Sequence, residues 1–200
     1  MPHSRETINL PIFPIHGVLF PGMRLQLYMN AYLEELVRLD MTLSVALVRP
    51  SREADTSHEP HLIGTTARIV NIVPTKSRED VILAGISRIH LLSYRHNGQH
   101  LVGQARFLPD LQESIPALLV EEARALGSEL ASTIPGEGRT SSPTLPKEPE
   151  TLSYWIAQHL PIDLEERQEL LELRTTSSRL SKEVSHMRVI LDAMRSQQSS

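Results

Sequence analysis

The chain has 200 residues, 40% of them apolar and 22% charged, with a formal net charge of −4 at pH 7, which is ordinary for a soluble globular protein of one domain or a small domain plus an appendage. The absence of cysteine excludes disulfides, thiolate catalysis and cysteine-based metal sites. No apolar run approaches the ~18 residues needed to span a membrane. The first ten residues, MPHSRETINL, carry no apolar segment of the secretory kind, and with the missing cysteines they point to the cytoplasm. Charge is uneven: residues 1–109 hold eleven Lys and Arg against nine Asp and Glu, whereas residues 110–200 hold nine against fifteen. The basic excess of the first part is too weak a field to argue for nucleic acid.

Residues 10–27, LPIFPIHGVLFPGMRLQL, set Pro11, Pro14 and Pro21 among large apolar side chains. Prolines this frequent exclude a helix interior, because each lacks an amide donor and clashes with the preceding turn. The segment reads as a stiffened, buried lead into β structure. Residues 24–29 alternate as a strand, and Tyr32, Leu33, Leu36 and Val37 then predict a short helix over 31–39. Residues 43–49 predict a buried strand, and the polar, proline-containing residues 50–61 an exposed loop. Residues 64–73, GTTARIVNIV, and 81–94, VILAGISRIHLLSY, predict two strands joined by a charged turn at 75–80, with Gly85 a bend or bulge. Asn97-Gly98 predicts a type I′ hairpin returning through residues 100–107. About six strands in the first hundred residues favour a small barrel-like, curled sheet.

Beyond Pro109 the character is helical. Helices are predicted over 116–132, with Leu119, Ala123, Leu126 and Leu130 inward, and over 152–160, ended by Pro161. Residues 134–150 hold four prolines and two glycines and read as a mobile loop. Asp163 and Glu166 form a capping box for a helix through Leu173. A last helix carries Leu180, Val184, Met187, Leu191 and Met194, with Thr176 or Ser177 as its cap. The expected fold is therefore α+β: a β-rich subdomain over 1–109 and a helical bundle over 110–200.

The opening segment resembles the start of the N-terminal substrate-binding domain of Lon-type proteases, a pattern of the form LPLFPL-x-x-VLFPG-x-x-LPL. Leu10, Pro11, Phe13, Pro14, Val18, Leu19, Phe20, Pro21, Gly22, Leu25 and Leu27 fall in the matching places. Residues 64–73 resemble the family's GT-x-ARI segment, and Gly85 and Arg88 its G-x-x-R strand. Leu160-Pro161 followed by Gln168, Leu170 and Leu171 resembles its LP…Q-x-LLE helix start. The family's HIFEPRY is replaced by YMNAY at 28–32, one residue shorter. No Gly-x-x-x-x-Gly-Lys occurs, and no Gly-Lys pair, so the phosphate cradle of an ATPase is missing. The three lysines, Lys76, Lys147 and Lys182, offer no evident Ser-Lys dyad, although Ser77 and Ser181 adjoin two of them. The resemblance implies a stand-alone, non-catalytic polypeptide-binding module that takes no cofactor. Its implied partners are unfolded or partly folded polypeptides or a protein partner, with weak self-association and neither nucleic acid nor membrane.

Several residues compete for roles. Tyr28, Met29 and Tyr32 stand where the family pattern is lost, and an exposed Met/Tyr patch suits adaptable contact with polypeptide; core packing competes for at least one of them. Arg68, Arg88 and Arg106 lie on three successive strands. On a shared face they would bind carboxylates or phosphates, against the plainer reading of a solvated face with cross-strand pairs. Pro14, Phe20, Pro21 and Gly22 read as structural. His58, His61, His96 and His100 read as polar loop residues rather than metal ligands. Two other classes stay open: an RNA-binding module on the barrel, for which the arginines lack stacking aromatics, and a small hydrolase, which would need a cleft of clustered, perturbed ionisable groups.

Overall fold

Three prolines and two glycines in residues 10–27 decide where the first strands can lie. The computed structural model describes residues 6–38, 45–48, 60–75, 79–97, 100–133 and 144–198. The chain divides into two compact units, Met1–Pro109 and Asp110–Ser200.

The first unit holds β1 (Thr7–Pro14), β2 (Arg24–Tyr28), β3 (Val45–Val48), β4 (Ile63–Pro74), β5 (Glu79–Asn97) and β6 (His100–Phe107), with α1 (Ala31–Arg38) between β2 and β3 in the chain. The strand order is β2-β5-β4-β3-β1-β6, and β6 also pairs back onto β5, so the sheet curls on itself. Among the described residues β1 and β3 pair in parallel and the other pairings are antiparallel. The α+β class and the curled six-stranded sheet are those expected from the sequence.

The Pro-rich opening is part strand and part crossing segment. Pro11 and Pro14 sit within β1, and residues 15–23 then leave the ladder. Pro21 and Gly22 occupy the centre of a turn in which the Met23 amide donates to the Phe20 carbonyl at 3.0 Å. Gly22 has φ 81°, the left-handed value that the third position of a type II turn requires, with proline suited to the second. Phe20 is fully buried and Val18 and Leu19 nearly so, each burial contributing about 1.5–3 kcal/mol. The segment lies directly on β5 at Gly85, whose amide donates to Met23 and whose carbonyl accepts from Gly22, both at 2.9 Å. A Cβ at Gly85 would overlap the Phe20 carbonyl oxygen, so glycine is required there by close backbone approach.

Among the described residues, two apolar clusters contribute to this unit's core. Ile15, Leu19, Leu33, Ala67, Val81 and Leu83 make one, with Met29 and Tyr32 packed against it; Leu10, Ile12, Ile89, Leu91 and Ala105 make the other. Asn30 caps α1, its side-chain oxygen accepting from the Leu33 amide at 2.9 Å, which turns Leu33 inward. Three register shifts interrupt the ladders, and they leave Val70, Ile86 and Leu92 without a cross-strand partner. All three side chains are exposed to about the same degree as Tyr94 on the same hairpin, as expected where a bulge re-aims a side chain.

Two local expectations shift. Glu79 and Asp80, expected in a charged turn, already belong to β5; Asp80 is buried and accepts from Gln26 at 2.7 Å. Asn97 pairs with His100, and His96 with Leu101, so the hairpin turns one residue later than an Asn97-Gly98 centre would place it. Residues 98–99, and most of the expected loop at 50–61, lie outside the described residues.

The second unit holds α2 (Ala117–Thr133), α3 (Pro149–His159), α4 (Leu164–Glu172) and α5 (Thr176–Gln198). Pro149 begins α3 rather than ending a loop, because proline's missing amide costs nothing in a first helical turn; residues 134–143 lie outside the described residues. The capping box holds: Asp163 accepts from the Glu166 amide at 2.8 Å, and Glu166 from the Asp163 amide at 3.2 Å. The cap of α5 is Thr175, whose hydroxyl oxygen accepts from the Ser178 amide at 3.2 Å, and not Thr176 or Ser177. The unit's core takes Ala123, Leu130, Leu152, Ile156, Leu160, Leu170, Leu180, Val184, Met187 and Leu191.

Candidate functional site

Strand β2 ends the sheet order, so one of its edges meets β5 and the other has no strand partner among the described residues. The Met23 carbonyl accepts from Gly85 and the Met29 amide donates to Glu79. In an antiparallel ladder the residues that exchange these bonds alternate, so 23, 25, 27 and 29 turn their main chain toward β5. Arg24 and Gln26 therefore turn theirs toward the open edge. The side chains alternate too: Leu25 and Leu27 pack on the core while Arg24, Gln26 and Tyr28 face out.

The three residues of the YMNAY segment part company here. Tyr28 is 61% exposed and presents its ring at the end of the edge strand. Met29 is half-buried against the core. Tyr32 stacks on Phe13 with ring centroids 5.4 Å apart, and its hydroxyl donates to the Ile12 carbonyl at 3.3 Å. Burial, with Glu35 close by, pushes the Tyr32 phenol up to about 12. Packing thus claims Met29 and Tyr32, and Tyr28 is the most exposed of the three.

The three arginines do not share a face. Arg88 pairs with Thr65 across β4–β5, and Arg106 pairs with His90, two residues along from Arg88; these two lie on one side. Arg68 is three residues from Thr65 on a regular stretch of β4 and falls on the other. Arg88 is also only 3% exposed. Its cross-strand neighbour Thr65 donates to the Leu19 carbonyl, so the crossing segment covers this row of the sheet. A three-arginine anion surface is not present. Of the structural residues, Phe20 is buried and Pro21-Gly22 make the turn, while Pro14 ends β1 opposite Val48.

Nothing in the sequence pattern marked the polar cluster of the second unit. Arg179, fully buried, donates through Nη2 to Asp110 at 2.8 Å and through Nε to Ser153 at 2.7 Å. Its guanidinium lies over the Tyr154 ring, 4.1 Å from the centroid, and Thr176 donates to Asp110 at 2.6 Å. Ser153 in turn donates to Glu183 at 2.9 Å. Arg179 and Glu183 each immediately precede an apolar position of α5, Leu180 and Val184, so the buried stripe is one residue wider than its apolar members suggest. That adjacency is the only sequence signal for them.

A cleft of about 310 Å³ adjoins the cluster, lined among others by Asp110, Glu113, Glu148, Glu150, Thr151 and Thr176. It contains no histidine or lysine, and Asp110 is held by Arg179. Glu183, whose carboxyl burial pushes well above its usual range, is not among the lining residues. No group of three or more His, Cys, Asp or Glu among the described residues is placed to hold a metal ion. Lys182 pairs with Glu169, and His58, Lys76 and Ser77 lie outside the described residues. No described helix is long and apolar enough to cross a membrane.

The fold and this site define a sheet-and-bundle domain with an open strand edge. Residues 9–189 match the family described as the ATP-dependent protease La (LON) substrate-binding domain, and the chain belongs to that family. It is 27% identical to the Lon protease of Escherichia coli K12 over 210 aligned positions, covering 96% of this chain and 26% of that protein. It is 29% identical to the Lon protease of Paraburkholderia phytofirmans, covering 86% of this chain and 23% of that protein. The chain thus spans about a quarter of the length of the relatives it matches. Among solved structures, a Lon N-terminal domain protein from Xanthomonas campestris superposes with a TM-score of 0.69 at 21% identity, covering 89% of this chain and 98% of that one. The N-terminal domain of Mycobacterium avium complex Lon protease gives 0.66 at 11%, covering 90% and 98%. These two agree with the fold described above.

Proposed function

We propose that this chain is a non-catalytic polypeptide-binding module, acting in the cytoplasm. The observation that carries the reading is membership in a substrate-binding family along residues 9–189. The edge of β2 supports a mechanism: an extended segment of a client chain adds to Arg24 and Gln26 by main-chain hydrogen bonds, while the exposed ring of Tyr28 packs on an apolar side chain beyond. Strand addition takes affinity from the backbone and preference from alternate side chains. It therefore suits clients recognised for being unfolded rather than for one sequence.

The test is fluorescence anisotropy of a small labelled protein held unfolded by reduction and alkylation of its disulfides, titrated with the purified chain beside the native, disulfide-bonded form of that protein and a structured RNA. Saturable binding to the unfolded form alone is expected. Binding to RNA with steep salt dependence, or to neither polypeptide, overturns the proposal.

A further inference from the structure

The buried cluster of the second unit contains two acids and one base. Arg179 is complete without Glu183: Nε goes to Ser153, Nη1 to Asp110 at 3.4 Å and to the Leu173 carbonyl at 3.5 Å, and Nη2 to Asp110. Asp110 and Arg179 thus compensate each other's charge. Glu183 is fully buried, and its Oε1 accepts one hydrogen bond, from Ser153. Its other oxygen, Oε2, meets no hydrogen-bond partner among the described residues. An ionised carboxylate with one neutral donor and no committed cation is among the costliest arrangements a protein interior can hold.

We propose that Glu183 is carried as the neutral acid, and that the joint between α3 and α5 is thereby a proton-linked latch that loosens as pH rises. Burial is the dominant influence on the carboxyl, pushing it well above the usual carboxylate range against the pull of Ser153 and Arg179. The neighbouring charges are occupied elsewhere. On α5, Arg179 serves Asp110, Lys182 serves Glu169 of α4, and His186 stands 3.8 Å from Glu166 of α4. From α2, Glu122 and Glu129 meet Arg188 and Arg195 at the surface. From α3, Ser153 is the hydrogen-bonding group and Tyr154 lies against Arg179. No second Lys or Arg is available among these groups to receive the charge, and His186 keeps its Nε2 buried without a hydrogen-bond partner among the described residues.

The sign follows from a carboxyl that binds its proton more tightly folded than unfolded. The latch is fully closed below the ordinary carboxylate range. It weakens as pH climbs from there toward the raised folded value, by up to tenfold in the folding equilibrium constant per pH unit.

The experiment compares the full chain with Glu183→Gln, an uncharged side chain of nearly the same shape. Urea unfolding is followed from pH 5 to 9 by the fluorescence of Trp155, the single tryptophan, which lies on α3. The wild-type folding constant is expected to fall relative to that of E183Q by up to tenfold per pH unit over the linked window; parallel profiles overturn the proposal. A carboxyl carbon NMR titration of wild-type Glu183 decides the matter even if E183Q does not fold. A protonated shift at pH 7 supports the latch, and an ionised one refutes it.

Discussion

Arg179→Met tests the cluster most severely. Methionine keeps much of the apolar stem and removes the cation, leaving Asp110 buried with its charge. The Arg179 side chain is 0% and that of Asp110 8% exposed, so water does not rescue the carboxylate. Breaking such a pair from one side costs about 3–5 kcal/mol. Loss of the guanidinium over Tyr154 adds to this, and the Thr176 hydroxyl at 2.6 Å from Asp110 offsets part of it; a net loss of about 3 kcal/mol is expected. With a urea slope near 1 kcal/mol per molar for a unit this small, the Trp155 midpoint should fall by about 3 M. Asp110→Asn combined with Arg179→Met should cost less than the two single losses added, because the partners share one interaction. Arg195→Met removes a comparable but solvent-exposed pair with Glu129 and is the internal control. A midpoint shift for Arg179→Met no larger than for Arg195→Met would refute the reasoning.

Gly85→Ala should destabilise the first unit by about 1–3 kcal/mol or more, because the new methyl meets the Phe20 backbone carbonyl and, at 3.1 Å, Leu19 Cγ. Gly103→Ala should cost less, since its methyl meets the rotatable ends of Ile12 and Leu91; hydrogen exchange in β5 ranks the two, and the reverse order contradicts the packing described. Tyr32 should ionise near 12, above an ordinary phenol, in an ultraviolet titration. Because that value is raised on folding, its contribution is complete below the ordinary phenol range and is lost as pH rises toward 12. Tyr32→Phe should remove a step near 12; removal of a step at the ordinary phenol value would contradict the burial and stacking given above.

Local chemistry made much of this fold legible, and non-local packing made the rest opaque. The Pro21-Gly22 turn, the Asp163–Glu166 capping box and the apolar stripe of α5 each depend on residues within a turn of one another. Arg88 depends on what lies above it. Its pattern is that of a surface strand residue, and it is buried because Leu19, far away in sequence, crosses Thr65 beside it. Arg179 and Glu183 escaped for a related reason. Charged residues beside an apolar stripe ordinarily face water, and only the approach of Asp110 and Ser153 makes their burial affordable in energy. At the candidate site the divergence of YMNAY was visible, but its division into exposed Tyr28 and packed Met29 and Tyr32 was not. That division rests on the stack against Phe13.

The most direct measurement is the affinity of the full chain for an unfolded polypeptide, compared between wild type and Tyr28→Ala. Tyr28 is 61% exposed, so its loss should leave the urea midpoint within about 0.5 kcal/mol of wild type while weakening binding about five- to thirtyfold, the ~1–2 kcal/mol of an aromatic contact residue. Equal affinity of the two proteins, or no binding by either, would contradict the account.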